Sequence, residues 1–175
     1  IKFRHQRRLI FETSDEYVKA LHEICDCAKY LEKIQLIIKT RPTDYELTED
    51  SLRTLLFPIP NNVFIENSRR FDEVLGETDL LISFSSTTIE EALVNEVPVL
   101  LYGGNGRYAH IPVEPFSNKN NNILRPVTFV NSKDDLEKYF EILSLKYDEL
   151  RLTQFNFDDY KHHDEDTVEF AKYFS

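Results

Sequence analysis

Methionine and tryptophan are absent from this chain of 175 residues, cysteine occurs twice and glycine four times. Each shortage removes a class of protein. Cys25 and Cys27 stand two apart in an expected helix, where side chains at i and i+2 do not share a face, so neither a disulfide framework nor a metal knuckle is expected. A reducing cytoplasm suits such a chain. No apolar run reaches the roughly 18 residues of a membrane span, and no signal segment is visible. The expected location is cytoplasmic, either free or peripheral to the inner membrane through a longer protein. That longer protein is itself an expectation, because the chain starts at Ile1 and has no Met anywhere.

Positive charge is also short. Lys and Arg number 21 against 31 Asp and Glu, a formal net charge of -10, which argues against a nucleic-acid or anionic-membrane surface. A small phosphorylated ligand remains open, since it needs only one local positive site. The glycines form neither GxGxxG nor a Walker loop, and GxSxG, HExxH and an evident carboxylate pair are missing. His162, His163, Asp164, Glu165 and Asp166 are metal-ligand types, but neighbours in a polar tail rarely converge on one ion, so no metal and no cofactor is expected.

What is present is a repeated strand and helix alternation in a chain that is 41% hydrophobic and 13% aromatic, enough for one domain with a sizeable core. Its organising stretch is DLLISFSSTTIEEALVNEVPVLLYGG, residues 79–104. Leu80, Leu81, Ile82, Ser83 and Phe84 alternate little, as in a strand covered on both faces. Ser85 and Ser86 then turn the chain, Thr87 and Thr88 supply N-caps, and a helix carries Ile89, Ala92, Leu93 and Val94 until Pro98. Val99, Leu100, Leu101 and Tyr102 make the next buried strand, which ends in Gly103 and Gly104.

The same alternation runs along the rest. A basic lead-in precedes a strand at Leu9, Ile10 and Phe11, and Asp15 and Glu16 open a helix with Tyr17, Val18, Leu21, Ile24, Cys25, Ala28, Tyr30 and Leu31 recurring. Strands are expected over 35–39, 63–65 and 127–130. Helices are expected over 45–57, burying Leu47, Leu52, Leu55 and Leu56, around Phe71, Val74 and Leu75 with Gly76 closing, and over 134–150. Asn131 or Ser132 caps the last of these, which buries Leu136, Tyr139, Phe140, Leu143 and Tyr147. Residues 105–125, with Pro112 and Pro115, read as a long loop near the ligand edge or a disordered lid, and 153–175 as a helical tail. The fold class is α/β: a single Rossmann-like, three-layer α/β/α domain over 1–175 with an open, mostly parallel sheet.

Such sheets bind ligands beyond the carboxyl ends of their strands. Three groups fall there. The hydroxyls and free helix N–H groups at Ser85, Ser86 and Thr87 suit phosphate oxygens, and Glu90 or Glu91 suits paired hydroxyls such as those of a ribose; equally, the segment suits a plain N-cap with dipole-compatible acids. Lys39, Thr40 and Arg41 form a cationic turn, in which an Arg fork suits a diphosphate, or else a solvated surface. Gly103, Gly104 and Gly106, followed by Arg107, Tyr108 and His110, allow close approach to a ligand, with Arg107 and His110 as further nucleotide-binding candidates and His110 as a phosphate contact or an acid or base, or they form a structural turn.

Residues 79–101 resemble the carboxyl-terminal, nucleotide-binding domain of GT-B glycosyltransferases that build bacterial surface polysaccharides, and of the related UDP-N-acetylglucosamine 2-epimerases. The resemblance implies a nucleotide sugar as donor substrate, with Ser85, Ser86 and Thr87 on the diphosphate and Glu91 on the ribose, Glu90 being the second choice. IIKTRP resembles the strand and basic turn that capsule and teichoic-acid-type transferases place before the next helix, with Arg41 where histidine is frequent. Glu96 stands where the pattern has glycine. In that family a second, amino-terminal domain holds the acceptor and the catalytic base, so this half is expected to be inert alone and its catalytic residues unknown. Alternatives are half of a UDP-sugar 2-epimerase, a glycerol-phosphate polymer phosphotransferase, or a non-catalytic Rossmann-like interaction module whose crevice is blocked by Tyr108 or Phe116.

Overall fold

The computed structural model describes residues 16–29, 31, 33–40, 48–83, 87–103, 113, 115–116, 125–146 and 156–158. Helix α1 covers residues 16–28. The chain continues through β1 (Leu36–Lys39), α2 (Glu49–Leu55), β2 (Val63–Glu66), α3 (Phe71–Leu75), β3 (Leu81–Ser83), α4 (Thr88–Val94), β4 (Val99–Tyr102), β5 (Val127–Val130) and α5 (Lys133–Lys146). Strands β1 and β2 pair in parallel, with Lys39 opposite Glu66. Strands β3, β4 and β5 form a second parallel ladder in that order, with Ser83 opposite Leu101 and Tyr102 opposite Val130. This is the open, parallel, Rossmann-like α/β architecture that the alternation predicts.

Strand β4 shows why the sheet needs a layer on each side. Its four residues are all buried, and side chains alternate between faces along a strand, so both faces must be covered. Leu100 and Tyr102 pack with Ala20, Ile24 and Cys27 of α1 and Leu136, Tyr139 and Phe140 of α5. Val99 and Leu101 pack with Leu75 of α3 and Ile89, Ala92 and Leu93 of α4. A third cluster sets Leu52 and Leu56 from the α2 region against Ile38, Val63 and Cys25. Cys25 and Cys27 thus enter different clusters, and both are free thiols, pushed up to about 11 and about 12 mainly by burial, which keeps them protonated and inert.

Local chemistry sets the ends of these helices. Thr48 caps α2, its Oγ1 accepting from the Ser51 amide at 3.2 Å, and Ser132 does the same for the Asp135 amide at the start of α5. Gly76 closes α3 as expected, with an ordinary helical φ of -62°. The expected caps of α4 differ: Thr87 holds the N-cap position with helical backbone and no side-chain cap bond, and Thr88 is the first helical residue. Two expected core residues lie outside: Leu55 is 43% and Val94 63% exposed. Leu52 and Leu56, one turn apart, already fill the inward side of α2, whereas Val94 is turned about 140° from Ile89 at 3.6 residues per turn. The expected strand at Leu9, Ile10 and Phe11, and Tyr30, Leu47, Phe84, Tyr147 and the tail beyond 158, lie outside the described residues.

Helix α4 ends in a Schellman turn rather than at Pro98. The Glu96 amide donates to Leu93 O at 3.1 Å and the Val97 amide to Ala92 O at 2.8 Å, which forces Glu96 to φ 59°. That left-handed conformation costs a side-chain-bearing residue about 1–2 kcal/mol. Glu96→Gly is therefore expected to stabilise the protein by about 1 kcal/mol, read as a higher denaturation midpoint with an unchanged slope. A lower midpoint would mean that the Glu96 side chain contributes more than its backbone strain costs.

Candidate functional site

In the β3-α4-β4 unit the parallel register puts the start of α4 and the exit of β4 at one carboxyl edge. Thr87 is exposed there and its hydroxyl makes no capping bond. Glu90 and Glu91 occupy the first turn of α4, both exposed, with their amides directed to Thr87 O at 3.2 and 3.4 Å. Gly103 follows β4 at φ 112°, a backbone conformation open to glycine and rarely adopted by residues with a side chain. Arg41, Ser85, Ser86, Gly104, Arg107, Tyr108 and His110 lie outside the described residues.

Lys39 ends β1. Its Nζ donates to Thr40 O at 2.8 Å, and no carboxylate pairs with it among the described residues. Thr40 is buried, and its amide continues the ladder to Glu66 O at 3.1 Å. No hydrogen bond or ion pair joins Lys39 to Thr87, Glu90 or Glu91: the two groups stand at carboxyl ends of separate hydrogen-bonded ladders.

Beside Lys39 lies a group that sequence reasoning missed. Glu66, the last residue of β2, accepts at Oε1 from the Ser68 amide (2.8 Å), the Ser68 hydroxyl (2.7 Å) and the Arg69 amide (3.0 Å), and at Oε2 from Arg69 Nε (2.9 Å). Arg69 also reaches Glu77 at 2.9 Å, so its charge is balanced by two carboxylates and is not offered to an anion. Asn67 donates to Glu49, which holds Arg53. The β2–α3 turn is thus held rigid from within. The available signal was a run of polar and cationic residues, ENSRR, directly after a strand, like KTR after β1.

The hydrogen bonds from the Arg69 amide first, then from the Ser68 hydroxyl and the Arg69 guanidinium, hold the Glu66 carboxyl down at about 2 instead of 4.5. A depressed folded value means that Glu66 stabilises the fold fully above the unfolded value of 4.5 and loses that contribution as pH falls through about 2. A carboxyl-carbon NMR titration is expected to give a midpoint near 2 for Glu66, and Glu66→Gln is expected to remove its share of acid sensitivity between pH 4.5 and 2. A midpoint near 4.5 would contradict the turn geometry.

Phe116, weighed above as a residue that blocks a crevice, is a core residue. Its ring lies in the core against Tyr139, centroids 5.6 Å apart and edge-on, and its amide donates to Phe129 O at 2.7 Å. Among the described residues no helix is long and apolar enough to cross a membrane, and no group of three or more His, Cys, Asp or Glu converges to hold a metal.

In comparisons with protein-family models, curated protein sequences and solved structures, nothing matches this chain.

Proposed function

We propose that the chain is the nucleotide-sugar-binding half of a glycosyltransferase of bacterial surface polysaccharide biosynthesis. The observation that carries this reading is the β3-α4-β4 unit, whose one carboxyl edge combines the uncapped hydroxyl of Thr87, the exposed Glu90 and Glu91 and the left-handed Gly103. Hydroxyls and a glycine turn are what a diphosphate needs for close approach, and a carboxylate in the first helical turn is what a ribose diol needs as acceptor. Lys39 supplies the positive charge, since Arg69 is neutralised by Glu66 and Glu77. The resemblance of residues 79–101 adds to this chemistry and assigns Ser85 and Ser86, with Thr87, to the diphosphate, while the glycine turn would add Gly104.

On this reading the chain's contribution to catalysis is to hold the donor and to stabilise the departing nucleoside diphosphate with Lys39 and Arg41, with no metal required. A second domain in a longer protein would bring the acceptor and the base. The direct test of the ribose assignment is Glu91→Ala. Affinity for the preferred nucleoside diphosphate is expected to fall about tenfold, the loss of one charge-assisted pair of hydroxyl contacts, with no fall for a ribose-free diphosphate probe. Equal affinity in wild type and variant would remove Glu91 from the site.

A further inference from the structure

The exit of β4 is tied to helix α1 by a bond that packing does not require. The Tyr102 ring lies in the cluster of α1 and α5, where a phenylalanine ring would fill the same space. Its hydroxyl donates to Glu23 Oε2 at 2.7 Å, across 79 residues of sequence. A bond from a phenol to a carboxylate is short, directional and stronger than one between neutral groups. Burial and then Glu23 push the phenol well above its ordinary range, so the proton stays on Tyr102.

Two features make this bond more than a staple. Tyr102 is the residue immediately before Gly103, so a ring held at its hydroxyl as well as by packing fixes the Cα from which the backbone enters Gly103 at φ 112°. Helix α1 is in turn fixed at its far end, where Asn62 Nδ2 donates to Ala28 O at 2.9 Å and to Ile34 O at 3.0 Å, and along its side, where Asp26 meets Lys133 at 3.1 Å. Glu23 therefore projects from a helix that is anchored elsewhere and serves as a fixed reference for the end of β4.

We propose that Glu23 and Tyr102 form a positioning pair that fixes the backbone at Gly103 on the carboxyl end of β4, and through it the glycine side of the nucleotide site. The inference rests on the nucleotide-binding reading above, and neither residue touches the ligand.

The test uses the full chain with UDP, CDP and GDP as probes, together with amide NMR of Gly103. Tyr102→Phe and Glu23→Ala are each expected to move the Gly103 amide resonance and to weaken diphosphate binding about tenfold, and the double variant no further than either single one. Glu23→Gln keeps an oxygen that accepts the phenol proton and is expected to restore affinity to within about twofold of wild type. Ile24→Val, which trims the same cluster, lowers stability but is expected to leave the Gly103 amide and the affinity in place. Binding by wild type with unchanged affinity in Tyr102→Phe overturns the pair. Wild type that binds none of the probes overturns the nucleotide reading instead, and an unmoved Gly103 amide in Tyr102→Phe overturns the pair whichever way binding goes.

Discussion

Leu100→Ala is expected to destabilise the protein by about 3 kcal/mol, within the range for a fully buried leucine whose cavity relaxes only in part. Leu100 is 0% exposed, sits on the middle strand of the β3-β4-β5 ladder and packs with α1 and α5 at once. A loss of that size is a large share of the roughly 5–15 kcal/mol that holds a domain together. Leu55→Ala is the comparison, because Leu55 is 43% exposed at the end of α2 and should cost about 1 kcal/mol or less. Denaturant titration decides it: the Leu100 variant must show the lower midpoint with an unchanged slope. Equal losses at the two positions would contradict the three-layer packing.

The second large effect is on binding. If the proposed nucleotide site is right, Lys39→Ala is expected to weaken diphosphate affinity about thirtyfold, from about 2 kcal/mol for a charge-assisted bond lost in full. The size follows from the company Lys39 keeps. Its Nζ is bonded to a carbonyl and to no carboxylate among the described residues, so its charge is available to an anion, whereas Arg69 beside it is already neutralised by Glu66 and Glu77. Arg69→Ala should accordingly change diphosphate affinity far less than Lys39→Ala and act on the β2–α3 turn instead. The reverse order, measured by calorimetry, would contradict the proposed anion site at the end of β1 and favour the β2–α3 turn.

The strands were legible because burial on two faces leaves a mark in composition: VLLY has no polar residue to alternate with, and neither face of β4 meets water. Helix type was legible for the same periodic reason, but two inward assignments failed at helix ends. Val94 follows Leu93 in an apolar run, yet rotation about the helix axis, not hydropathy, carries it to the solvent side. The stop of α4 was misplaced as well, since Pro98 is the visible breaker while the turn is made two residues earlier by Glu96. A glycine there would have announced it.

In the site, the location of Lys39, Thr87, Glu90, Glu91 and Gly103 at carboxyl edges followed from strand order alone. The Glu66 turn and the bond between Tyr102 and Glu23 did not. Both depend on which side chain a carboxylate meets in space, and the partners of Tyr102 lie 79 residues apart, beyond any local pattern. Glu66 is closer to being readable, because Ser68 and Arg69 follow it directly and a carboxylate at a strand end commonly accepts from the amides of the next turn.

The central claim, that this Rossmann-like domain holds a nucleotide sugar at the carboxyl edge of its parallel strands, is tested most directly by titrating the full chain with UDP, CDP, GDP and their sugar conjugates in a calorimeter without added metal. The account predicts saturable, one-site binding for one of the bases, weakened in Lys39→Ala and Glu91→Ala; absence of binding to every one of these ligands by a folded wild-type chain would contradict it.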